Sequence, residues 1–271
     1  MAVVGSEVSE VRRSERIYFA AVGLLALWVG FWGYIVPSEV ERAIPFAVPP
    51  LHARFLGAVY LSGLTIMAGG LLARSWREIR FVPILTALWT GGLCLISLFY
   101  LDRFDFATPQ PWVWFAAYVI YPLIAIGLAW RHRQVEPGSA HDAAVPVWAR
   151  RYLVGQGVVL TAVALGLLFA PGAMVDVWPW PIDQLLAQIY SAPLLAYGVG
   201  SLLLARQRTL LEIRVVVAGL LVFTAGVLIA SIIHRGLFSA GDVEDVLWFG
   251  LLVVANGTLG QLLLRAIRER R

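Results

Sequence analysis

The stretch EIRVVVAGLLVFTAGVLIASII, residues 212–233, decides the fold of this chain. After the charged triplet at its start, the run from Val215 to Ile233 contains no ionisable side chain. A helix of about 20 apolar residues crosses the hydrocarbon core of a bilayer. The stretch therefore predicts a transmembrane helix over residues 215–233.

Seven further apolar runs of similar length fill most of the remaining chain. The eight predicted spans cover residues 17–36, 51–73, 81–101, 112–130, 152–170, 184–205, 215–233 and 246–265. Apolar residues make up 60% of the 271 residues and charged residues 14%, against roughly 45–50% and 25% in a soluble domain. The predicted fold class is an all-α integral membrane protein with eight transmembrane helices.

The charged residues predict the direction in which the spans run. All 21 basic residues are arginine, against 17 acids, which gives a formal charge of +4. Only Arg42, Arg54, Arg103 and Arg235 lie at one side of the predicted spans, which leaves 17 of the 21 at the other side. Because cytoplasmic loops are enriched in basic residues, both termini are predicted to be cytoplasmic. The predicted location is the bacterial cytoplasmic (inner) membrane, with anionic lipids of the cytoplasmic face as partners.

The opening triplet also indicates an internal repeat. Glu78-Ile79-Arg80 opens the third predicted span, and Glu212-Ile213-Arg214 repeats it at an offset of 134 in the numbering. The same offset aligns Thr90 with Thr224, Gly92 with Gly226, Ser97 with Ser231 and Trp114-Phe115 with Trp248-Phe249. Each unit has an even number of spans, so we expect two parallel four-helix repeats. The predicted divisions are a cytoplasmic segment (1–16), a first unit (17–133), a cytoplasmic linker (134–149) and a second unit (150–271).

A short motif follows the first outer loop, which is rich in proline. Residues 50–57, PLHARFLG, fit the pattern Pro-Leu-x-Ala-Arg-x-x-Gly. In this motif the chain resembles uncharacterised bacterial multi-pass membrane proteins, in which a Trp/Pro-rich outer loop leads into such a helix. The second unit departs from the pattern, because Gln188 stands where the arginine is expected. The resemblance covers two short elements and implies no activity.

Arg54 is the principal candidate for a binding residue. It lies about one turn inside the outer end of the second span, and an ionisable group within a span is a functional hypothesis by default. Asp102, Asp105 and Asp183 are its expected partners. Two structural alternatives stay open: the guanidinium extends to the lipid head groups, or it forms an ion pair between the units.

Other polar residues complete the candidate ligand-binding set, which consists of Asp102, Asp183, Gln188 and Asn256 in addition to Arg54. Asn256 aligns with Pro122 at the offset of 134, and both residues loosen a helix, which indicates a cavity. Glu78 and Glu212 are expected to cap their helices, where a carboxylate complements the amide dipoles of the first turn.

The histidines offer a weaker metal hypothesis. His52 and His234 lie near the outer ends of two spans, and histidines on facing helices can ligate haem or another metal. An interfacial polar role is the alternative for this pair. His132 and His141, in the inner linker, are expected to be solvated.

The motifs that are missing from the sequence narrow the function. It contains no His-Glu-x-x-His, no Gly-x-Ser-x-Gly and no phosphate-binding glycine loop, so neither an enzyme nor a cofactor is predicted. Its single cysteine, Cys94, excludes a disulfide within the chain. No basic patch alternates with aromatic residues, so nucleic acid is not an expected partner. No predicted span interior holds Asp or Glu, which argues against proton-coupled transport.

Two functions from different classes follow. The first expectation is a structural or assembly subunit of a membrane complex, with other membrane subunits as partners. The alternative is a carrier or binder of a small apolar or anionic lipid ligand in the cleft between the repeats, anchored by Arg54. A haem or metal redox protein and a lipid-modifying enzyme rank below both.

Overall fold

The computed structural model describes residues 10–135 and 143–269. Residues 136–142 of the predicted linker, with His141, lie outside the described ranges, as do residues 1–9 and 270–271. The described residues form these α-helices: α1 Arg13–Gly30, α2 Pro50–Leu72, α3 Val82–Leu98, α4 Pro109–Arg131, α5 Val147–Phe169, α6 Pro171–Val177, α7 Gln184–Ala205, α8 Leu210–Ile233 and α9 Val243–Arg268. A π-helix, Phe31–Ile35, continues α1.

Seven of these helices have the length and composition to cross a membrane, α1 being counted with its π-helical extension. The eighth apolar helix, α3, has 17 residues and falls short of that length. The prediction of an all-α polytopic membrane protein is therefore confirmed. The short helix α6 was not predicted. It begins at Pro171, whose fixed φ and missing N–H suit the first turn of a helix.

Prolines and capping side chains set several of the helix starts. α2 begins at Pro50 and α4 at Pro109, for the same reason as α6. At the start of α7, the Asp183 carboxylate accepts the backbone N–H of Leu186 at 2.8 Å. The side chain of Glu212 caps α8 by accepting the backbone N–H of Thr209 at 3.0 Å, which completes a capping box.

Three pairs of helices begin at one common spacing along the chain, whereas α3 and α8, which begin at positions 82 and 210, depart from it. α1, α2 and α4 begin at positions 13, 50 and 109, and α5, α7 and α9 begin at positions 147, 184 and 243. Each start in the second set follows its counterpart at the offset of 134 that the sequence indicated. Two isolated backbone bridges, Glu10 with Ser75 and Ala144 with Thr209, have the same spacing. Below, residues 10–135 are the first half and residues 143–269 the second half.

Helices from both halves form the centre of the bundle. α2 packs on α8 and α3 on α7, which joins the halves, while α1 packs on α2 and α5 on α7 within them. In the most apolar stretch of each helix, 78% of α7 and 61% of α2 is buried, against 22% of α5 and 17% of α9. Large apolar side chains on the outer helices are exposed, as expected where a helix faces lipid. One end of the bundle is arginine-rich, where α1 begins, and the opposite end is arginine-poor.

Candidate functional site

At the arginine-rich end, two reciprocal ion pairs join the halves. Arg214 donates to the carboxylate of Glu78, and Arg80 lies 3.9 Å from Glu212. Each pair therefore takes its acid from one half and its arginine from the other, and the two acids, like the two arginines, lie at the offset of 134. Both carboxylates are buried. Glu212 caps α8 as predicted, whereas Glu78 lies before α3 and accepts the backbone N–H of Arg74 at 3.1 Å. Both glutamates also link the halves.

At the arginine-poor end, the halves are joined by two hydrogen bonds whose acceptors are uncharged side chains, and not by ion pairs. Arg54 Nη1 lies 2.6 Å from His234 Nε2, and the Tyr100 hydroxyl donates to Gln188 Oε1 at 2.5 Å. Gln188 follows Arg54, and His234 follows Tyr100, at the same offset of 134 in the numbering. The sequence differences at these two positions therefore belong together, because the two residues are partners in one contact that occurs twice. Near the start of its helix, the first half has the charged residue Arg54, and the second half has the neutral residue Gln188 at the corresponding position.

The acid partner predicted for Arg54 is wrong, because His234 occupies that place. Asp183 caps α7, Asp102 is exposed and lies 3.9 Å from Arg103, and Asp105 accepts the backbone N–H of Ala107. Across residues 10–135 and 143–269, no carboxylate forms an ion pair with Arg54. The guanidinium is partly buried, and its positive charge has no carboxylate partner among the described residues.

His234 itself is neutral in this arrangement. Its Nε2 accepts the guanidinium proton, so a proton on that nitrogen would face a donor instead of an acceptor. Burial and the adjacent charge of Arg54 hold the pKa of His234 below its usual value of 6.5. The Arg54–His234 contact consequently presents one net positive charge near physiological pH.

The π-helix at the end of α1 shapes the surroundings of Arg54. Gly33 and Gly57 let this turn meet the start of α2 backbone to backbone: a Cβ added at Gly57 would lie 2.5 Å from the backbone nitrogen of Tyr34. The Tyr34 hydroxyl donates to the carbonyl of Gly226 on α8 at 2.8 Å. In the second half, α5 stays α-helical to Phe169. π-Turns within α-helices occur frequently at functional sites, so a second feature specific to the first half lies beside Arg54.

The remaining candidates from the sequence have separate contacts. Gln188 also donates to the carbonyl of Leu168 at 2.9 Å, and Asn256 donates to Leu252 within its own helix at 2.8 Å. His52 lies 2.6 Å from the Tyr190 hydroxyl, and its ring stacks against that residue. No group of three or more His, Cys, Asp or Glu that could hold a metal ion occurs within the described part of the chain. Among these candidates, only Gln188 forms a contact that corresponds to the one Arg54 forms with His234.

A buried cluster at the arginine-rich end was missed by the sequence reasoning. His132, expected to be solvated, is only 6% exposed, and its Nε2 lies 2.8 Å from Glu15 Oε1. The indole N–H of Trp76 donates to the other oxygen of Glu15 at 3.0 Å, and the ring of His132 stacks on Trp76 with centroids 3.7 Å apart. Burial lowers the pKa of His132 in spite of the nearby carboxylate. We call Glu15, Trp76 and His132 the inner cluster.

The signal that could have found the inner cluster lies in the repeat alignment. At the offset of 134, its three members correspond to Ala149, Leu210 and Ala266. Three polar or amphipathic residues that are all replaced by apolar ones in the other half indicate one shared environment. A residue-by-residue inspection does not show this, because the three residues lie in different helices and loops.

Comparison with protein-family models, curated proteins and solved structures finds no match for this chain.

Proposed function

We propose that this protein is a non-catalytic integral membrane protein that binds the phosphate of an anionic lipid at Arg54. The observation that carries the proposal is a partly buried guanidinium whose partner is a neutral histidine and not a carboxylate. A partly buried cation in a membrane protein is costly without an opposite charge. A lipid phosphate supplies that charge from the surrounding bilayer.

The chemistry of the guanidinium fits this ligand. Arginine has five N–H donors in a rigid plane, and His234 accepts one of them. The fork geometry matches two phosphate oxygens at once, which an ammonium group does not achieve. Arg54 lies in the first turns of α2, the depth at which head groups meet the hydrocarbon. The cleft between the halves, by contrast, is occupied by the packing of α2 on α8 and of α3 on α7, so the ligand site belongs at the arginine-poor end.

The proposal rests on eight spans arranged as two parallel four-helix repeats in the bacterial inner membrane. The common spacing of three pairs of helix starts and the reciprocal cross-half contacts support this arrangement. α3, with 17 residues, meets the lower limit of about 17–25 residues for a transmembrane helix.

Cysteine labelling in intact cells tests the topology. With Cys94 changed to serine, single cysteines at Asp105, Asp176 and Gly241 are expected to react with an impermeant maleimide from outside, whereas one at Gln134 is not. Labelling of Gln134→Cys in intact cells would reverse the orientation.

Exchange of the two recurring contacts tests the ligand. The double variant Arg54→Gln with His234→Tyr replaces the Arg54–His234 contact by a copy of the Gln188–Tyr100 contact. It is expected to fold like the wild type, because the protein already holds a glutamine–tyrosine contact at the equivalent place. Both proteins are delipidated, incubated with phosphatidylglycerol and examined by native mass spectrometry. The wild type is expected to bind the lipid, and the double variant is not. The reciprocal variant, Gln188→Arg with Tyr100→His, is expected to gain a second phosphatidylglycerol site.

The remaining arms of this experiment identify the ligand source. Phosphatidylcholine measures retention of a lipid without net charge, and inorganic phosphate measures capture of a soluble anion. Equal retention of phosphatidylglycerol by the wild type and the Arg54→Gln/His234→Tyr variant would refute the proposal. If inorganic phosphate binds in an Arg54-dependent manner while phosphatidylglycerol does not, the site takes a soluble anion and the lipid assignment is wrong.

An assembly role is the second candidate, and α9 favours it. This helix is the longest of the nine described and has only 17% of its most apolar stretch buried. Gly250, Gly257 and Gly260 on α9 face open space, and small residues on an exposed helix permit close contact with another helix. Gly257→Leu is expected to convert a larger detergent-solubilised assembly to the monomer in native mass spectrometry. Gly155→Leu, at an equally open glycine on α5, is the control.

A further inference from the structure

A small apolar pocket lies within the first half, between α1, α2, α3 and α4. Its volume is about 40 Å³, larger than the roughly 10–15 Å³ needed to hold one water. Val22 and Ala26 of α1 form one wall, Thr90 of α3 lies opposite, and Tyr118 and Tyr121 of α4 close the remaining side. These residues belong to the middle of their helices, remote in sequence from Arg54.

A difference between the halves explains why the pocket exists. In the second half, α5 meets the backbone of α7, because a Cβ added at Gly157 would lie 3.0 Å from the carbonyl oxygen of Gly198. In the first half Gly23 is the counterpart of Gly157, but Leu64 stands in the place of Gly198. Gly23 therefore rests on side chains, with Met67 Cβ at 3.3 Å as its nearest contact. The side chains of Leu64 and Met67 on α2 therefore separate α1 from α2, whereas α7 has the smaller residues Gly198 and Ser201 at the corresponding positions.

Side-chain differences leave the space unfilled. Ala26 of the first half corresponds to Leu160 of the second. Val22 corresponds to Gln156, whose amide donates to Ser201 at 2.9 Å and so ties α5 to α7. The first half thus has a smaller residue and no polar tie at the equivalent places.

The hydroxyl groups around the pocket are engaged elsewhere. Tyr118 is hydrogen-bonded to Tyr60, Tyr121 donates to the carbonyl of Ala21 at 3.4 Å, and Thr90 donates to the carbonyl of Thr86 at 2.6 Å. An apolar cavity whose hydroxyl groups are already hydrogen-bonded stays dry and accepts apolar ligands. Water is therefore not its natural occupant.

We infer that this pocket binds the terminal part of an acyl chain from a lipid of the surrounding bilayer. The residues flanking it on α1 and α4 face the hydrocarbon: Leu24 is 67% exposed and Leu123 is 64% exposed. The medium next to the pocket is consequently lipid chain, and the pocket offers that chain an apolar recess between two helices. The inference is independent of Arg54 and of the charge of the lipid head group.

Photochemical labelling tests this inference. The full-length protein is reconstituted in phosphatidylcholine vesicles that contain a small share of phosphatidylcholine with a diazirine at the end of one acyl chain. After irradiation, adducts are expected on the α4 peptide that contains Tyr118 and Tyr121, at higher yield than on the equivalent α9 peptide around Leu252 and Ala255. Ala26→Leu, which installs the residue of the second half, is expected to reduce the α4 adducts severalfold.

Ala21→Leu is the matched control, because it adds the same side chain to α1 at an exposed position and should leave the adduct yield unchanged. Thr90→Leu fills the pocket from the opposite wall and replaces Ala26→Leu if that variant does not fold. Unchanged labelling of Tyr118 and Tyr121 in a folded filling variant would overturn the inference. The Arg54→Gln/His234→Tyr variant should label like the wild type, so failure here and failure of the phosphate site are distinguishable.

Discussion

The arginine-rich ends of the two halves differ in the polarity of their buried side chains. In the first half, Glu15 and His132 are buried and hydrogen-bonded to each other. In the second half, Ala149 and Ala266 stand at these positions and are buried as well. The same helix geometry thus accommodates a polar cluster in one half and apolar packing in the other.

Other contacts are the same in both halves. Trp114 donates its indole N–H to Ser97 at 2.9 Å, and Trp248 donates to Ser231 at 3.0 Å. Such paired contacts maintain the bundle and carry no information about function. The places where only one half is charged or hydrogen-bonded, Arg54 and the inner cluster, are where function has to be sought.

The largest effect is expected from breaking one of the reciprocal ion pairs that the halves share. Glu78→Leu leaves the partly buried Arg214 without its carboxylate, and removing one partner of a buried pair costs about 3–5 kcal/mol. Thermal unfolding in detergent measures the loss. The double variant Glu78→Leu with Arg214→Leu is expected to recover most of it. If the double variant is as unstable as the single one, the pair does not hold the halves together.

A smaller loss of unfolding free energy is expected when the inner cluster is disrupted. Glu15→Leu removes the acceptor of Trp76 and His132, and a buried polar group without a partner costs about 1–3 kcal/mol. Ala149→Leu in the second half adds volume at the corresponding buried position without removing a hydrogen-bond acceptor. The triple variant Glu15→Ala, Trp76→Leu, His132→Ala reproduces the second half and should be more stable than Glu15→Leu. The opposite order would mean that the cluster and its apolar counterpart are not interchangeable.

The inner cluster also predicts a pH dependence of stability. The folded protein resists protonation of His132, since burial lowers its pKa below 6.5, while the unfolded chain takes up the proton freely. The stabilisation is therefore complete above pH 6.5 and is lost as the pH falls below it. His132→Phe, which keeps a ring on Trp76, should flatten the unfolding temperature between pH 7 and pH 5. His234 also has a lowered pKa, so the Arg54→Gln/His234→Tyr variant should remove a further part of the slope.

The smallest losses of stability are expected from the tryptophan–serine hydrogen bonds, and they should be equal in the two halves. Ser97→Ala and Ser231→Ala each remove the acceptor of one tryptophan N–H, and hydrogen bonds between membrane helices contribute on average about 0.6 kcal/mol. Unfolding temperatures of the two variants should agree with each other. A difference of more than about 1.7 kcal/mol, the largest value measured for such bonds, would show that the equivalent contacts are not energetically equivalent.

Sequence reasoning located the helices well. The predicted span at residues 184–205 coincides with α7, and the other seven overlap their helices with ends that differ by a few residues. A run of about 20 apolar residues leaves the chain no alternative in a bilayer, because every backbone polar group must be satisfied within the helix. The π-turn after Gly30 and the helix α6 were not predicted, since both depend on local packing and on a single proline.

The contacts of the candidate site required the tertiary structure. The sequence by itself determined that the chain is membrane-embedded and helical, that its arginines are segregated, and that Arg54 is an unusual residue. It did not determine that His234, 180 residues away, is the partner of Arg54, or that Glu15 and His132 meet, 117 residues apart. Composition and periodicity act over one helix at a time. The choice between an acid and a histidine as the partner depends on how eight apolar helices pack, and apolar surfaces alone do not specify which polar residues they bring together.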